Sequence, residues 1–152
     1  AGQYTFDVSD ALEGRSAGAV ALVLQTILLP LALASSDSDV TLRGGTHVHF
    51  SPTIAYIEQV YLPMLSRMGL SASVKLHAWG WYPQGGGRVQ LQVTGDTTLS
   101  GINLLERGDL HQVRGLAVVT ELPSHIPNRM AHRAENILRD SKLRVNVKAL
   151  RE

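Results

Sequence analysis

The stretch that most limits what this chain can fold into is Ala17 to Ala34, a run of Ala, Leu and Val interrupted by Gln25, Thr26 and Pro30. It lacks a polar face, so a helix of roughly 18 residues at ~1.5 Å rise each would need cover around most of its surface. It has neither a basic flank nor the clean apolar span of a membrane helix, and Ser35-Ser36-Asp37-Ser38-Asp39 follows it. It therefore reads as a buried core helix rather than a membrane span. Pro30 should kink it or end its regular part, because proline has no amide hydrogen and collides with the preceding turn.

Such a helix needs a sheet, and the flanking sequence supplies one. Tyr4 to Val8 alternates as a half-buried strand, and Asp39 to Leu42 reads as a short strand ending at Gly44-Gly45. Pro52 suits the first position of a second helix. Ile54, Ile57, Tyr61, Met64, Leu65 and Met68 give that helix one apolar stripe, and Gly69 caps it. Ser73 to Ala78 and Arg88 to Val93 read as an antiparallel hairpin. The order β-α-β-α-β-β predicts an α+β fold with two helices on one face of a four-stranded mixed sheet.

Gly, Asp, Thr and Asn accumulate from Thr94 to Gly108 and mark a boundary. Beyond it, Val113 to Thr120 reads as a strand and Ser124 to Asp140 as an amphipathic helix with Ile126, Met130, Ala134, Ile137 and Leu138 inward. Leu143 to Leu150 reads as another strand. The expected division is a repeat over 1–100, a linker over 101–108 and a β-α-β unit over 109–152. That last unit cannot cover both faces of its own sheet, and the N-terminus enters a strand without a run-up. The chain is therefore expected to be a piece of a longer protein.

Composition excludes several classes. With 152 residues, 44% hydrophobic and 18% charged, the chain can bury a core and is not disordered. Cysteine is absent, which rules out disulfides, thiolate metal sites and a cysteine nucleophile, and favours an intracellular protein. Formal charge is +1, but residues 1–105 hold 5 Lys/Arg against 7 Asp/Glu, and 106–152 hold 9 against 6. Only the tail leans toward anionic partners, and a solvated helix face would give the same lean.

Trp79-Gly80-Trp81-Tyr82-Pro83-Gln84-Gly85-Gly86-Gly87 invites three readings: a phosphate loop, an aromatic platform for nucleic acid, or a turn. A phosphate loop leads into a helix N-terminus with Lys and Ser/Thr at fixed offsets. Here Arg88-Val89-Gln90-Leu91 has a strand pattern, so a glycine hairpin using positive φ fits better, with the aromatic residues packing rather than stacking on bases. Gly44-Gly45-Thr46 stands ahead of the second helix, either as an approach for an anion or nucleotide or as a tight turn only. His47-Val48-His49 would place two imidazoles on one side of an extended chain, a metal-binding spacing, but no third ligand lies near it. No metal ligand is assigned. His77, His111, His125 and His132 have no ligand spacing. Ser16-Ala17-Gly18 reads as a helix cap. Gln25, the strongly polar side chain of the first helix, must bond a neighbouring element or face a cleft. Neither a catalytic triad nor a placed carboxylate pair is found.

Five segments together resemble the RNA 3'-terminal phosphate cyclase family. They are Ser16-Ala17-Gly18 with Leu22-Val23-Leu24-Gln25-Thr26; Leu42-Arg43-Gly44-Gly45-Thr46 with Pro52; Tyr61-Leu62-Pro63-Met64-Leu65 with Arg67-Met68-Gly69; Gly80-Trp81-Tyr82-Pro83-Gln84-Gly85-Gly86-Gly87-Arg88-Val89; and Asn103-Leu104-Leu105-Glu106-Arg107-Gly108. The resemblance implies repeats of the cyclase and enolpyruvyl-transferase-like architecture, with 1–100 as the middle repeat and 109–152 as the first half of an inserted α/β domain. It also implies an enzyme of the ligase type that turns an RNA 3'-phosphate into a 2',3'-cyclic phosphate, using ATP and a divalent metal, Mg or Mn. The route passes through histidyl-AMP and an RNA-adenylate that the neighbouring 2'-hydroxyl attacks.

The family's N-terminal repeat and the C-terminal repeat that carries its nucleophilic histidine have no counterpart here. None of the six histidines matches that context, so no catalytic residue is assigned and the chain alone is expected to be inactive. By motif, Gln25 corresponds to a glutamine that contacts the nucleotide and Pro52 to a proline that packs on the adenine. Thr46 and Ser51, lining the same turn, complete the implied ATP/AMP-binding set. The sequence departs from the family at His47, where many members have Asp or Asn, and at Trp79, where Arg or His usually precedes the glycine. Implied partners are RNA 3'-phosphate ends, ATP and the rest of the parent chain, with no membrane. The implied setting is RNA processing in the cytoplasm, or in the nucleus of a eukaryote. The resemblance carries one alternative, a non-catalytic cyclase-like scaffold of ribosome assembly.

Overall fold

The computed structural model describes residues 2–8 and 18–152. The cap expected at Ser16-Ala17 lies outside the described residues. The chain divides into two compact units, Ala1–Asn103 and Leu104–Glu152.

The first unit runs β1 (Gly2–Asp7), α1 (Val20–Ala32), β2 (Ser38–Gly44), a composite helix α2 (residues 54–66), β3 (Ala72–Ala78) and β4 (Gly87–Val93). Its sheet has the order β1-β2-β4-β3, with β1 parallel to β2 and the other neighbours antiparallel. The mixed four-stranded sheet with helices on one face is as the order of elements predicts. Val40 and Leu42 of β2 and Val89, Leu91 and Val93 of β4 alternate inward against Val20, Leu24, Leu28, Ile54 and Ile57. The period of two on the strands and the period of 3.6 on the helices thus meet in one core.

α1 is shorter than the apolar run and is not covered all round. Val20, Ala21, Leu24, Leu28 and Ala32 are buried, whereas Leu22, Leu29 and Leu33 are 40–60% exposed. The expected buried core helix is therefore a helix with one packed face and an apolar outer ridge. Pro30 lies within it, and the helix ends two residues later, so only its last turn bears the missing amide hydrogen.

The second helix also differs from its sequence reading. It begins at Ile54 with Thr53 as N-cap, whose Oγ1 accepts from Tyr56 N at 3.2 Å, so Pro52 precedes the cap instead of opening the helix. Its middle, Ile57–Tyr61, is π-helical, with Leu62 N–H donating to Ile57 O, and α-helical geometry returns over Leu62–Ser66. The extra residue in that turn carries Leu62 onto the core after Ile57, which a strict 3.6-residue stripe does not foresee. Pro63 follows at once and cannot donate to the turn before it, a known setting for a local change of helical pitch. Gly69, at φ +98, ends the segment, with Leu70 N bonding back to Leu65 O at 3.1 Å.

After β4 the chain returns along the far ends of both helices. Asp96 N donates to Ala34 O at 2.6 Å, Thr97 N to Ala32 O at 2.9 Å and Ser100 N to Met68 O at 2.9 Å. These bonds satisfy carbonyls that helix ends leave without partners.

The second unit is β5 (Gln112–Val119), α3 (His125–Leu138), a 3₁₀ turn Arg139–Ser141 and β6 (Arg144–Arg151), with β5 and β6 parallel. α3 buries Pro127 and Ala131, while Met130 is 47% and Ile137 65% exposed. Of the expected inward stripe, Ile126, Ala134 and Leu138 are half-buried, whereas Met130 and Ile137 turn outward and Pro127 and Ala131 take the packed positions.

The α1 geometry gives a stability contrast. Leu24→Ala, at a fully buried position, should cost about 2–5 kcal/mol in urea unfolding, whereas Leu22→Ala on the exposed ridge should cost less than about 1 kcal/mol.

Candidate functional site

The turn that ends β2 is built from backbones that touch. Gly44 has φ +147, and a Cβ there would stand 2.7 Å from Gly18 O. Gly45 N donates to Gly18 O at 2.8 Å and Gly45 O accepts from Val20 N at 3.0 Å, so the start of α1 is stapled to the end of β2. Gly80 lies against the other side, where an added Cβ would overlap Gly44 O. Gly87 completes the crossing, since its Cβ would be 2.7 Å from Gly44 O and 2.5 Å from Thr46 Cγ2.

Thr46 locks this junction. It is 1% exposed; its N–H and that of His47 both donate to Gly80 O, at 3.0 and 3.1 Å. Its Oγ1 accepts from Gly80 N at 2.9 Å, and its carbonyl accepts from Ile54 N at 3.2 Å. One residue therefore holds the β3–β4 connection and the start of α2, while its neighbour Gly45 holds the start of α1.

The two tryptophans flank Gly80 and share a side. Their rings are stacked 5.6 Å apart at 4°, and the His47 ring lies 4.5 Å from Trp79 and 5.3 Å from Trp81. Half-burial in this cluster pushes the His47 pKa below the usual histidine range, because desolvation disfavours the imidazolium. Thr46 Oγ1 lies 2.9 Å from His47 Nδ1 and can donate to Gly80 O at 3.4 Å, so the tautomer of His47 sets which of the two takes the hydroxyl hydrogen. Trp81 Nε1 is buried with no partner among the described residues.

Beyond Trp81 the chain makes the glycine hairpin expected of it. Gly85 N donates to Trp81 O at 2.7 Å, Gly85 and Gly86 have φ +70 and +75, the Tyr82–Pro83 bond is cis, and β4 begins at Gly87. A strand follows the triplet, so the backbone amides of a phosphate loop are not assembled here. In the His47-Val48-His49 segment His47 makes a β-bridge to Trp81 and His49 already lies in a turn: His47 engages the tryptophans, and His49 faces the Phe50 ring at 6.3 Å. No group of three or more His, Cys, Asp or Glu that could hold a metal ion exists among the described residues.

The four residues singled out for nucleotide contact are thus placed differently. Thr46 is buried with its hydroxyl committed to Gly80, and Ser51 Oγ donates to Pro52 O at 3.1 Å. Pro52 is half-buried just ahead of the α2 cap. Gln25 is half-buried on α1, beside the packed face, and its amide makes no hydrogen bond to another described residue. Sequence reasoning missed the locking role of Thr46 and the His47–tryptophan cluster. The Trp-Gly-Trp alternation carried the signal for the cluster, because period two puts both rings on one side.

A family model described as RNA 3'-terminal phosphate cyclase matches residues 1–147. The chain is 73% identical over 152 residues to the RNA 3'-terminal phosphate cyclase of Nostoc punctiforme, covering 100% of the chain and 44% of that protein. It is 70% identical over 152 residues to the protein of that name from Trichormus variabilis, again covering 100% and 44%. Over 146 residues it is 38% identical to that of Methanothermobacter thermautotrophicus, covering 96% of the chain and 41% of the relative. The chain therefore spans less than half the length of these relatives.

Two outcomes test the junction. Thr46→Val strands the buried Gly80 amide and should cost about 1–3 kcal/mol in urea unfolding, with Thr46→Ser recovering most of the loss. Because burial lowers the folded pKa of His47, the unfolded chain takes up the proton first. Its contribution to stability is whole above about pH 6.5 and is lost as pH falls from there through the folded pKa. A proton NMR titration should place the His47 midpoint below 6.5, and His47→Asn should flatten the matching decline in unfolding free energy.

Proposed function

The chain belongs to the RNA 3'-terminal phosphate cyclase family, and from that premise we propose that it forms one wall of the nucleotide pocket of an ATP-dependent RNA 3'-phosphate cyclase. The observation that carries this reading is Gln25. Gln25 is half-buried on a helix whose start is stapled to the glycine turn, and its amide stays open to solvent and unbonded among the described residues. A carboxamide offers two donors and one acceptor, which suits the mixed edge of an adenylate, and an amide that the fold leaves unbonded is available to such a ligand. Pro52 adds a half-exposed apolar ring at the opening of α2, suited to the face of a purine.

In this reading the whole protein is a ligase-type enzyme of RNA processing in the cytoplasm, passing through histidyl-AMP and an RNA-adenylate before the 2'-hydroxyl closes the cyclic phosphate. The chain's own residues bind and orient. Gln25 holds the nucleotide edge, Pro52 stacks beneath the base, and Thr46 keeps the turn rigid while Ser51 fixes its rim. None supplies the nucleophile, so the chain by itself is inactive. The described residues do not form a metal-ligand set, and no step is assigned to a divalent ion through them. The second unit is read as the first part of a domain inserted after the repeat.

Incubating the full-length protein with α-labelled ATP and Mg or Mn should give acid-labile, protein-bound AMP. Gln25→Ala should lower this labelling by about tenfold, the equivalent of one well-formed hydrogen bond, while leaving unfolding free energy within about 0.5 kcal/mol. A folded full-length protein that takes no label would point instead to the non-catalytic scaffold of ribosome assembly.

A further inference from the structure

The outer face of the first unit's sheet is polar, and its charge is sorted by position. Asp39, Thr41 and Arg43 of β2 alternate outward with Arg88, Gln90 and Gln92 of β4 and with Ser73, Lys75 and His77 of β3. Arg43 and Arg88 are cross-strand partners. Their Cβ atoms are therefore ~4.5–5.5 Å apart, and like charges placed so oppose pairing of the strands.

The sheet does not neutralise this pair from within β2. The Asp39 carboxylate is occupied by Gln90 Nε2 at 3.0 and 2.9 Å and by Gln92 Nε2 at 3.2 Å. Asp7 of β1 stands beside Arg43 in register, Lys75 and His77 add positive or ionisable groups, and no ion pair to Arg43 or Arg88 forms among the described residues. Gln90 has spent its amide hydrogens on Asp39, so its Oε1, 3.2 Å from His77 Nε2, must accept, and His77 carries its hydrogen on Nε2. This bonded floor supports an open hollow of about 240 Å³ lined by Thr41, Arg43, His77, Arg88, Val89 and Gln90.

We propose that this hollow holds a backbone phosphate of a single-stranded RNA, with the Arg43 and Arg88 guanidiniums closing on its oxygens. The proposal rests on the reading that the protein acts on RNA, and adds a contact outside the nucleotide pocket. Two facing guanidiniums match a phosphate bidentately, and the anion relieves their mutual repulsion. A polymer suits the site better than a free nucleotide because the hollow is open. The hairpin joining the strands of His77 and Arg88 also carries Tyr82, 74% exposed, as a ring for a base. Phosphate contact with a stackable aromatic nearby is how single strands are held. Arg43 precedes Gly44 and Arg88 follows Gly87, so the strand would run next to the glycine junction.

Fluorescence anisotropy of a labelled single-stranded oligoribonucleotide on the full-length protein tests this. Arg43→Gln with Arg88→Gln should weaken binding by about tenfold and reduce the log–log salt slope by about 0.7, one single-strand phosphate. Thermal midpoint should not fall, because the substitution removes a repulsion, and AMP labelling from ATP should persist. Arg43→Lys with Arg88→Lys, which keeps charge and loses the fork, should weaken binding with the salt slope unchanged. Unchanged affinity and slope in the glutamine variant would overturn the proposal, as would AMP competing as well as the oligomer. If the glutamine variant does not fold, the lysine variant decides: binding equal to the parent's overturns the fork. RNA binding that needs both arginines in a protein that never takes up AMP would leave this site standing and remove the cyclase reading.

Discussion

The first unit depends on backbones being allowed to touch at Gly44, Gly80 and Gly87. The end of a central strand, a hairpin and two helix starts converge on that point, and a side chain at Gly80 would occupy the place of the Gly44 carbonyl. Close approach brings amides and carbonyls out of water, so each must find a partner there. Thr46 supplies most of them, from both its main chain and its hydroxyl. Specificity of the fold at this end of the sheet is thus carried less by apolar packing than by the buried hydrogen bonds of Thr46.

What the sequence disclosed follows from periodicity. Alternation along Asp39 to Leu42 and Arg88 to Val93, and the 3.6-residue stripe from Ile54, fix which faces meet, and the short glycine-rich connection announces the β3–β4 hairpin. What it concealed are departures from period. The π-helical turn at Ile57–Tyr61 shifts the later stripe by a residue, and α3 rotates until Pro127 and Ala131, not Met130 and Ile137, face its strands. Both arise from packing partners that a local window does not contain. The site shows the same split. Glycine doublets and triplets announce a tight junction, but only the folded chain shows that Thr46 is consumed by it while Gln25 is left unbonded. Motif spacing puts both in one binding set, because it records which residues recur together and not which hydrogen bonds are already made.

The site also sits where two kinds of environment adjoin. On one side, His47 and the stacked tryptophans form a half-buried aromatic cluster that disfavours added charge. On the other, the sheet's outer face gathers cations near the same glycines and lets glutamine amides quiet the one carboxylate of β2. The same short run of glycines thus separates a surface that resists added charge from one that carries it.

The strap that follows β4 has a mechanical consequence. By bonding Ala32, Ala34 and Met68 carbonyls it grips both helices at the ends remote from the glycine junction. α1, with 13 residues, sets its own grip ~20 Å from that junction. Tension applied to the chain beyond Asn103 therefore meets the bonds to Met68, Ala32 and Ala34 before it reaches β4. The first unit behaves as a splint between the chain that leaves it and the turn where its glycines cross.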